Sequence, residues 1–395
     1  MEYIFSDKIK NMKPSAIREI FKSLADPTVI SLAAGNPSAQ SFPVDQLALL
    51  SRDIFENMST QALQYSVTEG YTPLRQAVAA RMKEKFGIGR DFDATLITTG
   101  GQQCLDLSAK VLCNEGDVIV SEQPSFIGAL NSFRSYNTRI VGVDRKEDGL
   151  DLEALENVFK TEKNVRMLYL IPTFHNPLGT TLPLENRKAI YALCKQYGVM
   201  IYEDNPYGEL RFDGEDIPTL KSMDEEGIVI YSSSFSKILS AGMRIGYVIA
   251  PEAVMQKMVV AKQVTDVHTN IFFQILCHRY MTECDLDAHI ESIRRLYGHK
   301  CGLMLDTLDK TMPKAVSYTR PQGGLFVWAT LPESVDMNAF VKKAIENKVA
   351  VVPGTAFNCD ESAPSSSFRL NYSTPTDEQI VKGIEILSAT AKAML

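Results

Sequence analysis

The chain has 395 residues, a formal net charge of −7, 45% hydrophobic and 23% charged residues. This length and composition indicate an ordered protein of roughly two or three domains. The acidic balance argues against nucleic-acid binding, and no run approaches the roughly 18 apolar residues of a membrane span. Seven scattered cysteines without a CxxC pair are typical of reduced thiols, so we expect a cytoplasmic enzyme.

Short apolar strands alternate with amphipathic helices through the first two thirds of the chain. In chain order the predicted strands are 96–99, 118–120, 139–143, 166–171, 199–202, 228–231 and 245–250. One predicted helix begins at Thr72-Pro73 and ends at Gly87, and a second begins at Gly101. Further helices are predicted at 126–136, 151–160 and 185–197. This alternation is typical of a parallel sheet covered by helices on both faces. The link 232–244 is short for a crossover, so one antiparallel strand is expected at the sheet edge.

The pattern changes after about residue 270. A long helical stretch to about 310 is followed by a strand pair in 318–332, a helix at 337–348 and two strands, VAVVP and SFRLNYS. This order predicts a smaller α+β domain. We therefore expect a large domain at 47–285 and a small domain formed by 1–46 and 286–395.

Several common kinds of site are not expected. The five histidines form neither an HExxH motif nor a cluster with cysteines, so no metal site is predicted. The sequence has no GxxxxGK[ST] loop and no GxSxG elbow. Gly87-Ile88-Gly89 lacks a third glycine and follows a helix, which argues against a dinucleotide-binding turn.

Polar residues follow several predicted strands, at the sheet edge where open α/β folds bind ligands. Gly100-Gly101 opens a helix, whose free amides suit a phosphate. Asp204 follows the strand 199–202, and Lys237 lies among serines after the strand 228–231. Each residue alone is equally explained as a turn, a helix cap or a surface lysine.

Together these residues fit one ligand, pyridoxal 5′-phosphate (PLP). Its phosphate suits the helix N-terminus, Ser234, Ser236 and Arg244; its ring nitrogen suits Asp204; its phenolic oxygen suits Asn176 and Tyr207; and its aldehyde suits Lys237 as a Schiff base.

The sequence resembles the fold-type I, PLP-dependent aminotransferases of class I/II, and is most similar to their 2-aminoadipate and multi-substrate branch. Among the matching segments, which lie in order over nearly the whole chain, are LAAGNPS (32–38), ALQYSVTEGYTPLR (62–75), LITTGGQQCLDL (96–107), YLIPTFHNPLG (169–179), YEDNPYGEL (202–210), SSFSKILSAGMRIGY (233–247) and FRLNYS (368–373). The resemblance implies an α/β fold with a mostly parallel sheet in the large domain. It also implies a homodimer that moves an amino group from an amino acid to a 2-oxo acid by a ping-pong mechanism.

The resemblance implies a role for each matching residue. Lys237 would hold the cofactor and move a proton, and Asp204 would keep the ring nitrogen protonated. The remaining cofactor contacts would be Asn176 and Tyr207 at the ring oxygen, Phe126 stacked on the ring, Gly101, Gln102, Ser234, Ser236 and Arg244 at the phosphate, and Tyr65 at the phosphate of the other subunit.

Substrate contacts follow from the same resemblance. Arg369 would grip the α-carboxylate, beside Asn176 and the backbone of Gly35. Arg18 would meet a distal carboxylate or belong to a solvated helix face, and residues 11–30 would form a lid. His175 stands where the family often has glutamine; it would either perturb the surroundings of the substrate side chain or be a satisfied buried histidine, and we expect the second.

The expected donor and acceptor are glutamate and 2-oxoglutarate, with a 2-aminoadipate, aromatic or branched partner. A lyase carrying out β-elimination uses the same cofactor and fold, so it remains an alternative. A non-enzymatic sensor is less favoured, because the matching segments begin near residue 15 and the charge is acidic.

Overall fold

The computed structural model describes residues 3–10, 12 and 26–395. Within them the strands are β1 (Ile30–Ser31), β2 (Asp93–Thr98), β3 (Val118–Gln123), β4 (Arg139–Lys146), β5 (Gly149–Leu150), β6 (Val165–Leu170), β7 (Met200–Asp204), β8 (Val229–Ser234), β9 (Gly246–Pro251), β10 (Ser317–Tyr318), β11 (Phe326–Thr330), β12 (Val349–Ala350), β13 (Val352–Pro353) and β14 (Ser367–Asn371). The α-helices are α1 (Asp7–Lys10), α2 (Val44–Asn57), α3 (Ser59–Leu63), α4 (Thr72–Phe86), α5 (Gly101–Leu112), α6 (Ile127–Arg134), α7 (Leu152–Thr161), α8 (Leu184–Tyr197), α9 (Glu252–Asp266), α10 (Ile271–Glu283), α11 (Leu286–Thr311), α12 (Met337–Glu346) and α13 (Asp377–Met394).

Eight strands form the large sheet, in the order β2-β9-β8-β7-β6-β3-β4-β5. The five strands from β8 to β4 are parallel, which confirms the expected mostly parallel sheet. The antiparallel strand was wrongly expected at the edge. Strand β9 is antiparallel to β8 but lies one strand inside the edge, because β2 pairs with its outer side from Asp93↔Pro251 to Thr98↔Gly246. This pairing satisfies the backbone groups of a strand that is almost entirely buried.

Alternation along the parallel strands gives each face of the sheet its own apolar core. In β6, Met167 and Tyr169 pack with Leu105 of α5, whereas Leu168 and Leu170 pack on the other side with helices α7 and α8. Successive side chains of a strand point to opposite faces, so a run of apolar residues requires a cover on both. The helical layers on the two faces confirm the predicted α/β architecture.

The later part of the chain forms a four-stranded antiparallel sheet, β10-β11-β14-β13, and helices α11 and α13 pack together beside it. The predicted strand pair in 318–332 is confirmed as β10 and β11. The long helical stretch expected to about 310 is not continuous, because α10 ends and α11 begins at Cys284 and Asp285. The Asp285 side chain caps α11 by accepting from the amide of Ala288, and α10 packs instead on α2 and α4.

In the described part of the chain, no helix combines the length and apolar character needed to cross a bilayer.

Candidate active site

The site lies at the carboxyl ends of β7 and β8, where Asp204 is the last residue of β7. Its carboxylate accepts from the Tyr169 hydroxyl at 2.9 Å and from the Ser232 hydroxyl at 3.2 Å. Burial raises the pKa of Asp204 to about 6, although these two hydrogen bonds favour the ionised form. The carboxylate is therefore held in place by neutral donors and retains its negative charge at neutral pH.

Lys237 follows β8, and its ammonium donates to the carbonyl of Gly35 at 2.8 Å. The ring of Tyr207 lies 6.0 Å from the Lys237 nitrogen. Burial, together with the positive charges of Arg369 and Arg244, lowers the pKa of Lys237 to about 8. A substantial fraction of this lysine is thus neutral near physiological pH, as a nucleophile or proton acceptor requires.

Arg369 lies in β14, and its guanidinium is directed into the site. It donates to Asn176 Oδ1 and to the carbonyl of Ala33, both at 2.8 Å. The rings of Phe326 and Phe357 lie 4.2 and 4.9 Å from its central carbon. The Nε–H of Arg369 is buried without a partner in the described residues. Burial lowers its pKa to about 10, so the guanidinium stays charged and has a free donor for an anion.

Gly35 borders both of these cations, as expected. A Cβ there would lie 3.1 Å from Phe326 Cζ and 3.9 Å from Arg369 Nη2. The close neighbour of this position is thus the Phe326 ring, which a side chain here would have to displace by a few tenths of an ångström, whereas the guanidinium lies at ordinary contact distance.

A phosphate-sized cradle is formed where α5 begins. Gly100 has φ 74°, and a Cβ there would lie 2.3 Å from Arg244 Nη2, so the guanidinium rests directly on the glycine. Ser234 and Ser236 lie beside this turn, with their hydroxyl oxygens 2.8 Å apart. Gly101 is the first residue of α5, whose N-terminal amides are free to bind an anion.

Phe126 and Gln102 meet beside this cradle. The Gln102 amide donates to the carbonyl of Gly128 at 2.8 Å. A Cβ on Gly128 would lie 2.4 Å from the Phe126 ring and 2.8 Å from Gln102 Oε1. The glycine therefore lets an aromatic face and an amide approach each other at the N-terminus of α6.

Tyr207 and Asn176 complete the predicted set on the described chain. Both are buried, and Tyr207 packs edge-to-face on Phe326 with ring centroids 5.9 Å apart. Burial raises the pKa of the Tyr207 phenol, whereas Arg369 and a hydrogen bond with Asn176 act in the opposite direction. The phenol is thus protonated at neutral pH and can donate a hydrogen bond.

Two predicted residues do not join this group. Tyr65 is 82% exposed and contacts His268 edge-to-face at 5.8 Å, away from the other site residues. Arg18, and most of the proposed lid at 11–30, lie outside the described residues.

Sequence reasoning missed several residues that shape the site. They are Tyr169 and Ser232 beside Asp204, Phe326 and Phe357 beside Arg369, and the Glu122 carboxylate next to His175. Tyr169 begins the matching segment YLIPTFHNPLG, and Phe326 lies in RPQGGLFVW (320–328), a further segment that matches the family, so a signal existed for both. The contacts themselves join strands and loops far apart in the sequence, and their proximity has no local sequence signal.

The charged groups of the site lack counter-ions. In the part of the chain that the structure describes, no carboxylate pairs with Lys237, Arg244 or Arg369, and Asp204 accepts only from hydroxyls. Buried charges are normally paired, because desolvation of an isolated ion is costly. Because Lys237 has a lowered pKa, the permanent charges are those of Arg244, Arg369 and Asp204. The two arginines suit two anionic groups of a ligand, and Asp204 suits one cationic group.

Comparison with known proteins decides the family. A model of the aminotransferase class I and II family matches residues 27–387. The chain belongs to this family. An aromatic-amino-acid aminotransferase 1 of Thermococcus litoralis is 41% identical over 395 residues, 99% of this chain and 94% of the relative.

Two solved structures of aminotransferases share the fold over nearly the whole chain. The multiple substrate aminotransferase of Thermococcus profundus has a TM-score of 0.95 at 37% identity, covering 99% of this chain and 98% of that one. The α-aminoadipate aminotransferase of Thermus thermophilus, solved with N-(5′-phosphopyridoxyl)-L-leucine, has a TM-score of 0.91 at 38% identity, covering 99% and 97%. The chain is a PLP-dependent aminotransferase of fold type I, and the expected family and cofactor are confirmed.

The residues on the described chain fit this cofactor. The glycine turn and Arg244 suit a phosphate, the buried Asp204 suits a cationic ring nitrogen, and Lys237 has the lowered pKa that suits an amine reacting with an aldehyde.

Proposed function

We propose that this aminotransferase exchanges amino groups between glutamate or 2-oxoglutarate and an amino acid with a 2-aminoadipate, aromatic or branched side chain. The observation that carries the proposal is a set of charges without counter-ions in the described residues: Asp204 and Lys237 lie at the carboxyl ends of β7 and β8, and Arg369 reaches the same site from β14. The names of the relatives, which include aromatic, aminoadipate and multiple substrates, support this range of side chains.

PLP, when bound, supplies an aldehyde for condensation with an amine and an electron-withdrawing ring that stabilises negative charge at the substrate α-carbon. In the proposed ping-pong mechanism, Lys237 is the amine released when substrate binds. Its Nζ would then accept the proton from the substrate α-carbon and return it to the cofactor carbon that carried the aldehyde. The lowered pKa of Lys237, to about 8, suits both roles because it lies near the working pH.

The other residues hold and polarise the reactants. Asp204, as a carboxylate, stabilises the protonated ring nitrogen. Asn176 and Tyr207 donate to the ring oxygen, and Arg369 binds the α-carboxylate next to Gly35. Phe126 would stack on the ring, and Gly101, Gln102, Ser234, Ser236 and Arg244 would hold the phosphate.

We also propose a homodimer in which Tyr65 reaches the phosphate of the other subunit. Leu63, Tyr65 and Val67 are all exposed within five residues of the chain, and large apolar side chains exposed so close together in sequence favour a protein interface. Light scattering on the purified protein measures the mass and tests the dimer.

The proposed domain boundaries are 47–285 for the large domain and 1–46 with 286–395 for the small one. The break between α10 and α11 at Cys284 and Asp285 supports the second boundary. We propose a cytoplasmic location, which the seven free cysteines favour. Arg18 stays a prediction for the distal carboxylate of acidic substrates.

The deciding experiment is an absorbance titration of the PLP-loaded protein with single amino acids and no oxo acid. Glutamate or 2-aminoadipate should convert the visible band of the cofactor into the near-ultraviolet band of its amine form, with release of an equimolar oxo acid. Glutamate carrying a methyl group in place of the α-hydrogen is the matched control, since it has no proton to give. A band unchanged by every amino acid, or release of pyruvate and ammonia, would contradict the proposal.

A further inference from the structure

A buried charged cluster that the proposed mechanism does not use lies beneath the site. Glu122, near the end of β3, is fully buried. Its Oε1 accepts from Arg145 Nη1 at 2.9 Å, and its Oε2 accepts from the amide of Ile171 at 2.6 Å. The same Oε2 lies 3.2 Å from Nε2 of His175, which is also fully buried. The cluster thus joins three neighbouring strands, β4, β3 and β6, to the loop that carries Asn176.

The protonation of this cluster follows from its contacts. Burial lowers the pKa of His175, so the imidazole is neutral at neutral pH. The amide of Leu178 donates to His175 Nδ1 at 3.4 Å, which places the ring proton on Nε2, facing Glu122. For Glu122, burial opposes ionisation, but His175, Arg145 and the Ile171 amide outweigh it and lower its pKa. The imidazole therefore accepts from the Leu178 amide through Nδ1, while its Nε2 lies 3.2 Å from the Glu122 carboxylate without meeting the geometry of a hydrogen bond.

The backbone of His175 also forms hydrogen bonds. Its amide donates to the carbonyl of Thr180 at 2.8 Å, and its carbonyl accepts from the amide of Gly179 at 2.6 Å. His175 is thus fixed from four sides, and Asn176 is the next residue. The anchor also fixes the backbone of Asn176, because a single peptide bond joins it to His175.

Asn176 lies between Arg369, which is proposed to bind the substrate carboxylate, and Tyr207, which is proposed to bind the cofactor. Its Oδ1 accepts from Arg369 Nη1 at 2.8 Å, so its amide nitrogen is left to donate. Its side chain also acts to lower the pKa of the Tyr207 phenol, which burial raises. A displacement of Asn176 would therefore change the orientation of Arg369 as well as the donors around Tyr207.

We propose that His175 is a positioning residue, held between Glu122 and the Leu178 amide, which sets Asn176 so that Arg369 is oriented for the substrate carboxylate. This inference rests on the proposed function, because it assigns the carboxylate to Arg369. An ordinary buried histidine would contribute to stability alone.

The test compares three variants of the full-length, PLP-loaded protein. His175→Leu removes both ring contacts at similar volume, and His175→Gln keeps an amide that can donate to Glu122. Asp93→Asn is the matched control, since Asp93 is a buried carboxylate paired with Lys221 at the other end of the sheet. Glutarate is the probe for calorimetric binding, because it has two carboxylates but no amino or oxo group to react.

We expect His175→Leu to raise the glutarate Kd and the amino acid KM about tenfold, since supporting contacts to a binding group typically matter at that level. Its kcat should change by less than about threefold, because an equal loss in ground and transition states appears in KM. His175→Gln should restore both constants, and Asp93→Asn should lower the melting temperature without changing either.

Two results would overturn the proposal. One is a His175→Leu protein with a lower melting temperature but an unchanged Kd and KM, as in the Asp93→Asn control. The other is His175→Gln failing to restore binding. If His175→Leu does not fold, His175→Asn, which is too short to reach Glu122, decides by the same constants. If the wild-type protein binds glutarate but transfers no amino group, while His175→Leu weakens binding, the proposed function fails and the positioning role stands.

Discussion

Two lysines at opposite ends of β8, Lys221 fully buried and Lys237 half-buried, have opposite surroundings. Lys221 lies near the start of β8 and donates to Asp93 at 2.7 Å, to Asp224 at 2.9 Å and to the carbonyl of Val229 at 2.9 Å. Lys237 lies past the end of the same strand and donates to one carbonyl, that of Gly35. The first ammonium is fully compensated within the protein, whereas the second is not.

The difference separates a structural charge from a functional one. Breaking a buried, fully bonded ion pair is strongly destabilising, so Lys221 holds elements together. A buried ammonium without a carboxylate costs stability in the free protein, and such strain is typical of sites that a ligand completes. Asp204 and Arg369 show the same lack of a counter-ion in the described residues, and both lie in the same site as Lys237, with Arg369 reaching it from β14 of the smaller sheet.

The largest expected effect comes from replacing each lysine by methionine. Lys237→Met should reduce the transamination rate about 10³-fold or more, since it removes the proton acceptor, while leaving the stability of the cofactor-free protein unchanged or higher. Lys221→Met should destabilise by about 3–5 kcal/mol, because it leaves two carboxylates buried, yet keep the kcat of the folded fraction. Urea unfolding and steady-state kinetics measure both. A folded but inactive Lys221→Met protein would break the comparison.

A similar contrast applies to two arginines. Arg369→Lys should lower kcat/KM for amino acids about 100-fold, because a lysine cannot bind a carboxylate through two parallel N–H groups. Arg81 is the matched control, since this partly buried arginine already pairs with Glu209 and Asp287. Arg81→Lys should lower the melting temperature and leave kcat/KM close to the wild-type value. Equal kinetic losses in the two variants would show that the effect is not specific to the site.

The smallest effect concerns stability and pH at Asp204, whose pKa is raised from 3.8 to about 6 in the folded chain. The folded state therefore holds this proton more tightly than the unfolded state, so the cofactor-free protein loses stability as pH rises from about 4 to 6. Asp204→Asn should remove this loss and be more stable at pH 7.5 by roughly 2 kcal/mol, less than the full shift implies because an amide bonds more weakly to Tyr169 and Ser232.

Urea unfolding of both cofactor-free proteins at pH 4.5 and 7.5 measures this difference, which should nearly vanish at the lower pH. Asp93→Asn should instead destabilise at pH 7.5, since Lys221 loses a partner. An Asp204→Asn protein that is less stable than wild type at pH 7.5 would contradict the account of Asp204 as an uncompensated charge.

Local patterns in the sequence predicted much of the fold. Helix α4 follows from Thr72-Pro73, the buried face of Leu74 and Val78, and the left-handed Gly87 at its end. The expected domain boundary at 285 falls at the break before α11, but the sequence did not show that one helix ends and another begins there, because the Asp285 cap depends on a change of chain direction. The place of β9 was missed for a related reason, since its outer neighbour β2 precedes it by more than a hundred residues.

For the site, the order of residues indicates which side chains follow the strands, because the end of an apolar run fixes where a polar side chain reaches the sheet edge. Lys237, Asp204 and the glycine turn could be identified in this way, and the family resemblance added Arg369 and Asn176. The folded chain was needed to show that their charges have no counter-ion among the described residues, that Tyr169 and Ser232 hold Asp204, and that Glu122 and His175 lie beneath Asn176. Burial and pairing depend on which distant strands pack together, and a linear pattern does not contain that information.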